Sequence, residues 1–135
     1  MRSDAGTVSV FIAVVAMALI AVTGLVLDGG RLLAARREAQ DIAANAARAG
    51  AQALDEHQLR MGHKVLDTST SARAVATYLA QTPARGTSRI TADTVTVSVR
   101  LRVPTLLPAL AGVRHQTVTA TEQARAVQGV MEGDS

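Results

Sequence analysis

The chain has 135 residues, which is enough for one small domain and a membrane anchor. It contains no Cys, so a disulfide scaffold and a cysteine zinc site are excluded. With one Phe, one Tyr and no Trp, it has few large side chains from which to build a core. The formal net charge is +3, and scattered arginines without aromatic neighbours argue against nucleic acid as a partner.

The first long segment, Thr7 to Leu27, contains no charged residue. As a helix it covers about 32 Å at about 1.5 Å per residue, which matches a hydrocarbon core of about 30 Å. A cleaved secretory signal is the main alternative, but its apolar region is shorter, and the sequence that follows offers no convincing small-x-small cleavage site. We therefore interpret residues 1–6 as a short tail and residues 7–27 as an uncleaved transmembrane helix that uses the lipid bilayer as its partner.

Residues 28–54 predict a long alanine-rich helix, because Ala, Leu, Arg, Glu and Gln are strong helix formers. One face carries mostly small apolar residues at alternating steps of three and four. We call this face the alanine seam, and it consists of Leu32, Ala35, Ala39, Ile42, Ala46, Ala49 and Ala53. Small side chains let another backbone approach closely. The seam therefore predicts packing against the protein's own domain, against neighbouring subunits, or against both.

The junction between the apolar segment and the alanine-rich helix has the sequence DGGR. Asp28 and Arg31 are three residues apart, so they can pair on the surface of a helix. Gly29 and Gly30 can kink the helix at the same place.

Residues 55–127 predict a small α+β domain, and residues 128–135 predict a flexible tail. The first helix is expected to end near Leu54 and to be followed by a loop. Asp67 or Thr68 can cap a second helix from about Ser69 to Gln81, which Pro83 and Gly86 are expected to end. The predicted apolar face of that helix consists of Ala72, Val75, Ala76 and Leu79.

Alternation of apolar and polar residues predicts two antiparallel strands. Thr94 to Val103 alternates strictly, with Val and Leu on one side and Thr, Ser and Arg on the other. The preceding SRITA is either a shorter strand or a lead-in, and residues 104–113 predict a turn or short helix with an apolar face. Gln116 to Val127 alternates again, although Glu122 interrupts its apolar side. Because a sheet of two or three strands is unstable alone, we expect the alanine-rich helix to cover it, giving a pilin-like α+β fold.

The three histidines, His57, His63 and His115, have no spacing that is diagnostic of a metal site. No catalytic Ser-His-Asp or Cys-His set stands in a recognisable context, and no glycine-rich phosphate loop follows a strand. We therefore expect no enzymatic activity, no metal ion and no cofactor.

These motifs, in their order and spacing, resemble the TadE/TadG-like proteins of the Tad (Flp) pilus system, in particular the TadG-like N-terminal type. Those proteins have a Gly before an apolar span, then D-x-G-R, then an alanine-rich helix. Here Gly6 precedes the span, DGGR is Asp28 to Arg31, and AQDIAANAARAGA is Ala39 to Ala51. The closing sequence TVTATEQARA, Thr117 to Ala126, is similar to the end of the TadE-like domain.

The resemblance implies a structural role, as a minor pilin-like subunit or an accessory in assembling a pilus or a related secretion apparatus. The implied partners are other pilus or secretion subunits, bound through the alanine-rich helix, with self-association as a further expectation. The resemblance also implies a cytoplasmic N-terminus and a C-terminal domain outside the cell membrane. By the positive-inside rule, Arg31, Arg36 and Arg37 alone would favour the opposite orientation.

In this family, pseudopilins that a prepilin peptidase processes carry Glu five residues after the processed Gly. Phe11 stands at that position here, which disfavours processing at Gly6. The alternative hypothesis is a membrane-anchored envelope binding module unrelated to pili. Neighbouring genes for a secretion ATPase and Tad-type membrane proteins would favour the pilus hypothesis over this one.

Overall fold

A computed structural model of the chain describes residues 3–54, 56, 60–62, 65–106, 109 and 112–126. The elements, in chain order, are α1 Ser3–Ala51, α2 Thr68–Ala80, β1 Arg85–Ile90, β2 Thr94–Pro104 and β3 His115–Arg125. A long apolar helix, a second helix and an antiparallel sheet confirm the predicted α+β class. The predicted tail at 128–135 lies outside the described residues.

Helix α1 is one continuous α-helix of 49 residues, about 73 Å long at about 1.5 Å per residue. Gly29 and Gly30 are helical like their neighbours, so the predicted junction does not interrupt the helix. The helix ends at Ala51, three residues before the predicted Leu54. Beyond that end, Leu54 donates its N–H to the carbonyl of Gln52 at 3.1 Å and pairs with Leu66 in an isolated antiparallel bridge, so the helical bonding pattern does not continue.

The sheet has three antiparallel strands in the order β1-β2-β3. Strand β2 matches the alternating segment that predicted it, and β3 pairs with it along its whole length, from Thr94–Arg125 to Pro104–His115. The first three residues of SRITA, Ser88 to Ile90, belong to β1, a full strand that begins at Arg85 and ends at Ile90. Gly86 was expected to end the second helix, and this expectation was wrong: the helix ends at Ala80 and Gly86 lies in β1, opposite Val99.

The core lies between the sheet and the second half of α1. Every second residue of β2 from Val95 to Val103 is buried, as its alternation predicts. The buried apolar residues on α1 are mostly alanines: Ala35, Ala39, Ile42, Ala43, Ala46 and Ala47. Small side chains on the helix let the larger valines of the sheet fill the space between the two layers.

Helix α2 begins at a well-formed N-cap. The carboxylate of Asp67 accepts hydrogen bonds from the backbone N–H groups of Ser69 and Thr70 at 2.9 and 3.1 Å, and from both of their hydroxyl groups. The Thr70 N–H is the largest single cause of the lowered pKa of Asp67, which falls from 3.8 to about 2. These bonds favour the charged carboxylate that ties the start of the helix together.

The buried face of α2 differs from the predicted one. Ser71 and Val75 are buried, whereas Ala76, predicted to face the core, is exposed. The Ser71 hydroxyl donates to the carbonyl oxygen of Gly50 at 2.9 Å, so its polar group is satisfied inside the core. A serine can therefore occupy the contact between the two helices that apolar periodicity assigned to alanine.

Candidate interaction surfaces

The first half of α1 is an uncovered apolar surface. Among the described residues, α1 is the one helix long and apolar enough to cross a membrane, judged by length and composition. None of its most apolar 18-residue window is buried. Phe11 and Ile20, for example, are 68% and 69% exposed. A core helix of a soluble protein would be covered by its own chain, so this half of α1 requires an apolar environment from elsewhere.

The alanine seam faces the protein's own sheet. Ala35, Ala39, Ile42 and Ala46 are buried, while Leu32, Ala49 and Ala53 are partly buried. Three residues outside the seam, Ala43, Ala47 and Gly50, are buried as well. A straight helix turns every 3.6 residues, so a seam with a strict 3.5-residue period drifts by about 20° per heptad. The buried face of α1 therefore turns away from the seam towards the C-terminal end of the helix, where it includes Ala43, Ala47 and Gly50.

The burial of the seam limits what a neighbouring subunit can contact. Its buried members are covered by the chain's own sheet, so a second chain could reach them only by displacing the domain. The surfaces of α1 that stay open are its apolar first half and the polar side of its second half. Arg36, Arg37, Glu38 and Asp41 lie on that polar side, and all are exposed.

The junction residue Asp28 holds the connection between β2 and β3. Its Oδ1 atom accepts a hydrogen bond from the backbone N–H of Leu106 at 2.9 Å, and Asp28 itself is partly buried. At the base of the same connection, the N–H of Thr105 donates to the carbonyl of Arg114 at 3.2 Å. The partner of Asp28 is 78 positions away along the chain, so local spacing could not have indicated it. The pairing of Asp28 with Arg31 stays a prediction.

The outer face of the sheet is polar and basic. Residues directly opposite in the register share a face, and the face turned away from α1 carries mainly Thr, Ser and Arg. Its cationic residues are Arg85, Arg89, Arg100, Arg102 and Arg125. No carboxylate side chain lies on this face of the three described strands. Glu122 of β3 lies on the opposite face, paired with Val97, and Asp93 lies in the turn before β2.

Two of these arginines are directly opposed. Arg85 of β1 pairs with Arg100 of β2 in the register, and like charges facing each other across strands are destabilising. Among the described residues, none of the five arginines of the face makes an ion pair. The surface therefore presents uncompensated positive charge to the solvent.

The histidines do not converge on a site in the described part of the chain. Among those residues, no group of three or more His, Asp or Glu side chains is placed to hold a metal ion. His115 is exposed at the start of β3, whereas His57 and His63 lie outside the described residues. The expectation that no metal is bound stays a prediction.

Together these features define a class of protein: a small α+β domain carried on an apolar helix that its own chain leaves uncovered. The family model for putative Flp pilus-assembly TadE/G-like proteins matches residues 6–53. This range contains the apolar half of α1, the junction and the half covered by the sheet, so the match confirms the resemblance that the motifs predicted over these residues. The match supports involvement in Flp pilus assembly. Comparison with curated proteins and with solved structures gave no match.

Proposed function

We propose that the protein is a membrane-anchored structural component of a Flp-type pilus assembly system, either a minor pilin-like subunit or an accessory. The observation that carries the proposal is the overlap between the family match and helix α1. The TadE/G-like match covers residues 6–53, and nearly all of that range lies in α1. The first half of this helix is apolar and exposed, and the helix continues without a break into the core of the domain. The anchor and the domain are therefore parts of one rigid element.

In this proposal the two halves of α1 have separate tasks. The first half spans the cell membrane, with the N-terminus in the cytoplasm and the domain outside. The alanine seam fastens the domain to the anchor, because its central residues are buried against the chain's own sheet. Other pilus subunits would then bind the anchor inside the bilayer, where helix pairs depend on close packing, or the polar side of the second half.

Processing at Gly6 is not required by this arrangement. Gly6 lies within α1, and a side chain placed there would have no atom within 4 Å. Cleavage after Gly6 would leave the whole apolar segment in place. Phe11, where processed relatives have Glu, supports a protein that acts at full length.

The first test is an immunoblot of sheared surface material and of washed membranes from cells that produce the tagged protein. A band in sheared material identifies a filament subunit, and a smaller band there adds processing at Gly6. A full-length band confined to membranes identifies an anchored accessory. A band in neither fraction, with the protein recovered in soluble form, would refute the anchoring.

A charge placed in the anchor makes the same test more specific. Leu19→Arg puts a cation near the middle of the span, which costs about 2.5–3.5 kcal/mol on insertion scales. We expect it to deplete the membrane band. Met61→Arg is the matched control, because Met61 is an exposed apolar residue in the connection that follows α1. It should leave the distribution unchanged.

The second candidate function is an envelope binding module unrelated to pili. The observation that favours it is the basic outer face of the sheet, whose arginines have no carboxylate partner among the described residues. Such a face fits an anionic ligand. A deletion strain that assembles pili in normal number would favour this candidate over the first.

A further inference from the structure

The exposed large apolar side chains of the domain concentrate at its junction end. Beyond the apolar half of α1, four described residues of this kind are exposed: Leu33, Met61, Leu106 and Val113, at 46–53%. Leu106 and Val113 lie in the connection between β2 and β3, and Leu33 lies in α1 shortly after Asp28. Only Met61 lies elsewhere, in the connection between the two helices. An uneven distribution of this kind indicates a surface that is covered in the working protein.

Specific contacts fix the level of the β2–β3 connection along α1. The N–H of Leu106 donates to Asp28, which directly follows the charge-free segment that ends at Leu27. The Thr105 hydroxyl donates to the carbonyl of Val113 at 2.5 Å, so the two sides of the connection are held together. A small cleft of about 250 Å³ separates Pro104 and Thr105 from Leu25 of α1. The two described ends of the connection therefore lie beside the boundary between the apolar and the polar halves of the helix.

The sequence of the connection suits a membrane surface. From Leu106 to Val113 it reads LLPALAGV, with no charged residue. Arg114 follows directly, and Arg102 precedes it near the end of β2. Apolar side chains flanked by cations are typical of segments that lie in the headgroup region, where the cations meet anionic lipids.

We propose that the two ends of the β2–β3 connection, at Leu106 and at Val113 with Arg114, form a second membrane contact of this protein. Leu106 and Val113 enter the headgroup boundary of the bilayer that α1 spans, and Arg114 faces anionic headgroups. The inference rests on the proposed anchoring of α1 and goes further, because a single helix leaves the domain free to tilt. Two contacts hold the sheet at one orientation to the membrane.

The position of Leu106 and Val113 favours the bilayer as the surface that covers them. The connection lies at the level where the apolar segment of α1 ends, so a bilayer centred on that segment reaches it. A neighbouring subunit is the other candidate for covering Leu106 and Val113. Purified protein in vesicles contains no such subunit other than further copies of itself, and quenching by labelled lipid reports lipid contact alone.

The chain has no Trp, so a single Trp introduced by mutation gives an unambiguous fluorescence signal. The full-length variant Val113→Trp is reconstituted in vesicles of phosphatidylcholine and phosphatidylglycerol whose acyl chains carry bromine at shallow or deep positions. Leu19→Trp reports the anchor. Met61→Trp is the matched exposed site away from the junction, and it controls for the affinity of Trp itself for interfaces.

We expect the Leu19→Trp signal to be quenched most by deep bromine and the Val113→Trp signal most by shallow bromine. Met61→Trp should retain its fluorescence with both lipids. Replacing phosphatidylglycerol by phosphatidylcholine should weaken quenching at Val113→Trp, because Arg114 loses its anionic partners.

Each other outcome has a separate meaning. If Leu19→Trp is not quenched, the anchoring and the proposed function fail together with this inference. If Leu19→Trp is quenched while Val113→Trp behaves like Met61→Trp, the second contact is refuted and the anchoring stands. Equal quenching of Val113→Trp with and without phosphatidylglycerol would refute the contribution of Arg114.

Discussion

The two halves of α1 share one backbone conformation but differ in what surrounds them. The first half carries Val, Ile, Leu and Met around its whole circumference, and its most apolar 18-residue window is completely uncovered. In the second half, Ala39, Ala43, Ala46 and Ala47 are 0% exposed beneath the sheet. The backbone of α1 is therefore helical both where the chain covers it and where it does not. The size and distribution of the side chains determine whether the rest of the chain covers the helix.

The comparison has a simple physical basis. A helix that is apolar on all sides has no polar face to turn towards water, so it requires an apolar solvent around it. A helix with alanine on one side and charge on the other can turn each side to a different neighbour. The alanine side lets a sheet approach closely, and the valines of β2 supply the apolar volume that the alanines lack.

The largest effect should come from enlarging an alanine in the covered half. Ala46→Leu forces extra carbon atoms into a site with no exposed surface, and we expect it to lower the free energy of unfolding of the domain by about 1–3 kcal/mol. Ala49 is only partly buried, so Ala49→Leu should have a smaller effect. Denaturant unfolding of the full-length protein in detergent micelles measures both.

The matched control for this prediction is Ala16→Leu in the uncovered half, which adds the same side chain where no sheet is packed. It should leave the unfolding of the domain unchanged. If Ala46→Leu and Ala16→Leu unfolded alike, the sheet would not cover α1 as described.

Two glycines of α1, one packed against the domain and one in open space, test the same difference between covered and uncovered helix. At Gly50 an added Cβ would lie 2.8 Å from Cγ2 of Val75 and 3.1 Å from Cγ1 of Val95. Both valines are buried and have stiff β-branched side chains, so Gly50→Ala should destabilise the domain by about 1–2 kcal/mol. Gly29→Ala meets no atom within 4 Å and should instead stabilise the helix by about 0.5–1 kcal/mol. Thermal unfolding followed by circular dichroism should give shifts of opposite sign, and shifts of the same sign would contradict the packing at Gly50.

A smaller effect is expected on the outer face of the sheet. Arg85→Glu replaces the repulsion across from Arg100 by an attraction, which should stabilise the sheet by about 0.2–1 kcal/mol. Arg89→Glu makes the same charge change opposite Thr96 and is the control. The difference between the two variants in denaturant unfolding should shrink at high salt, because salt screens exposed charges. A difference that is independent of salt would assign the effect to something other than charge.

The smallest effect at neutral pH is expected from Asp67→Asn. The difference between this variant and the unchanged protein should appear only in acid. The pKa of Asp67 is about 2 in the folded protein, below its ordinary 3.8. The stability contributed by the ionised cap is therefore complete above about pH 4 and is lost as the pH falls towards about 2. Asp67→Asn keeps a capping oxygen but cannot titrate, so its unfolding should depend less on pH in this window. Identical acid profiles for the two proteins would show that the cap carries no such linkage.

The parts of the fold that local patterns specify were predictable. The strict alternation of Thr94 to Val103 gave β2 almost to the residue, and the charge-free segment with its alanine-rich continuation gave α1. Asp67 was one of two predicted caps, with Thr68, because both stand immediately before a helix-forming sequence, and the structure selects Asp67. In each case the determining interactions lie within a few residues along the chain.

The parts that depend on distant contacts were not predictable from one sequence. Ser71 is not among the residues of the predicted apolar face, yet it is buried, because its hydroxyl donates to the carbonyl oxygen of Gly50. Gly86 was interpreted as a breaker, but an added Cβ there would lie 2.9 Å from the carbonyl oxygen of Ser98 and from Cδ1 of Leu79, so glycine permits a close approach. Asp28 was predicted to be an interaction residue of the junction. The sequence did not indicate that it accepts a hydrogen bond from the N–H of Leu106, 78 positions away.

The continuity of α1 has a mechanical consequence. No proline interrupts the helix between Ser3 and Ala51, so the domain and the apolar segment form one lever rather than two bodies on a flexible link. With a covered half of about 36 Å, a tilt of about 10° moves the far end sideways by about 6 Å. A force applied to the sheet is thus delivered directly to the uncovered apolar end of the molecule, and a twist of that end turns the sheet by the same angle.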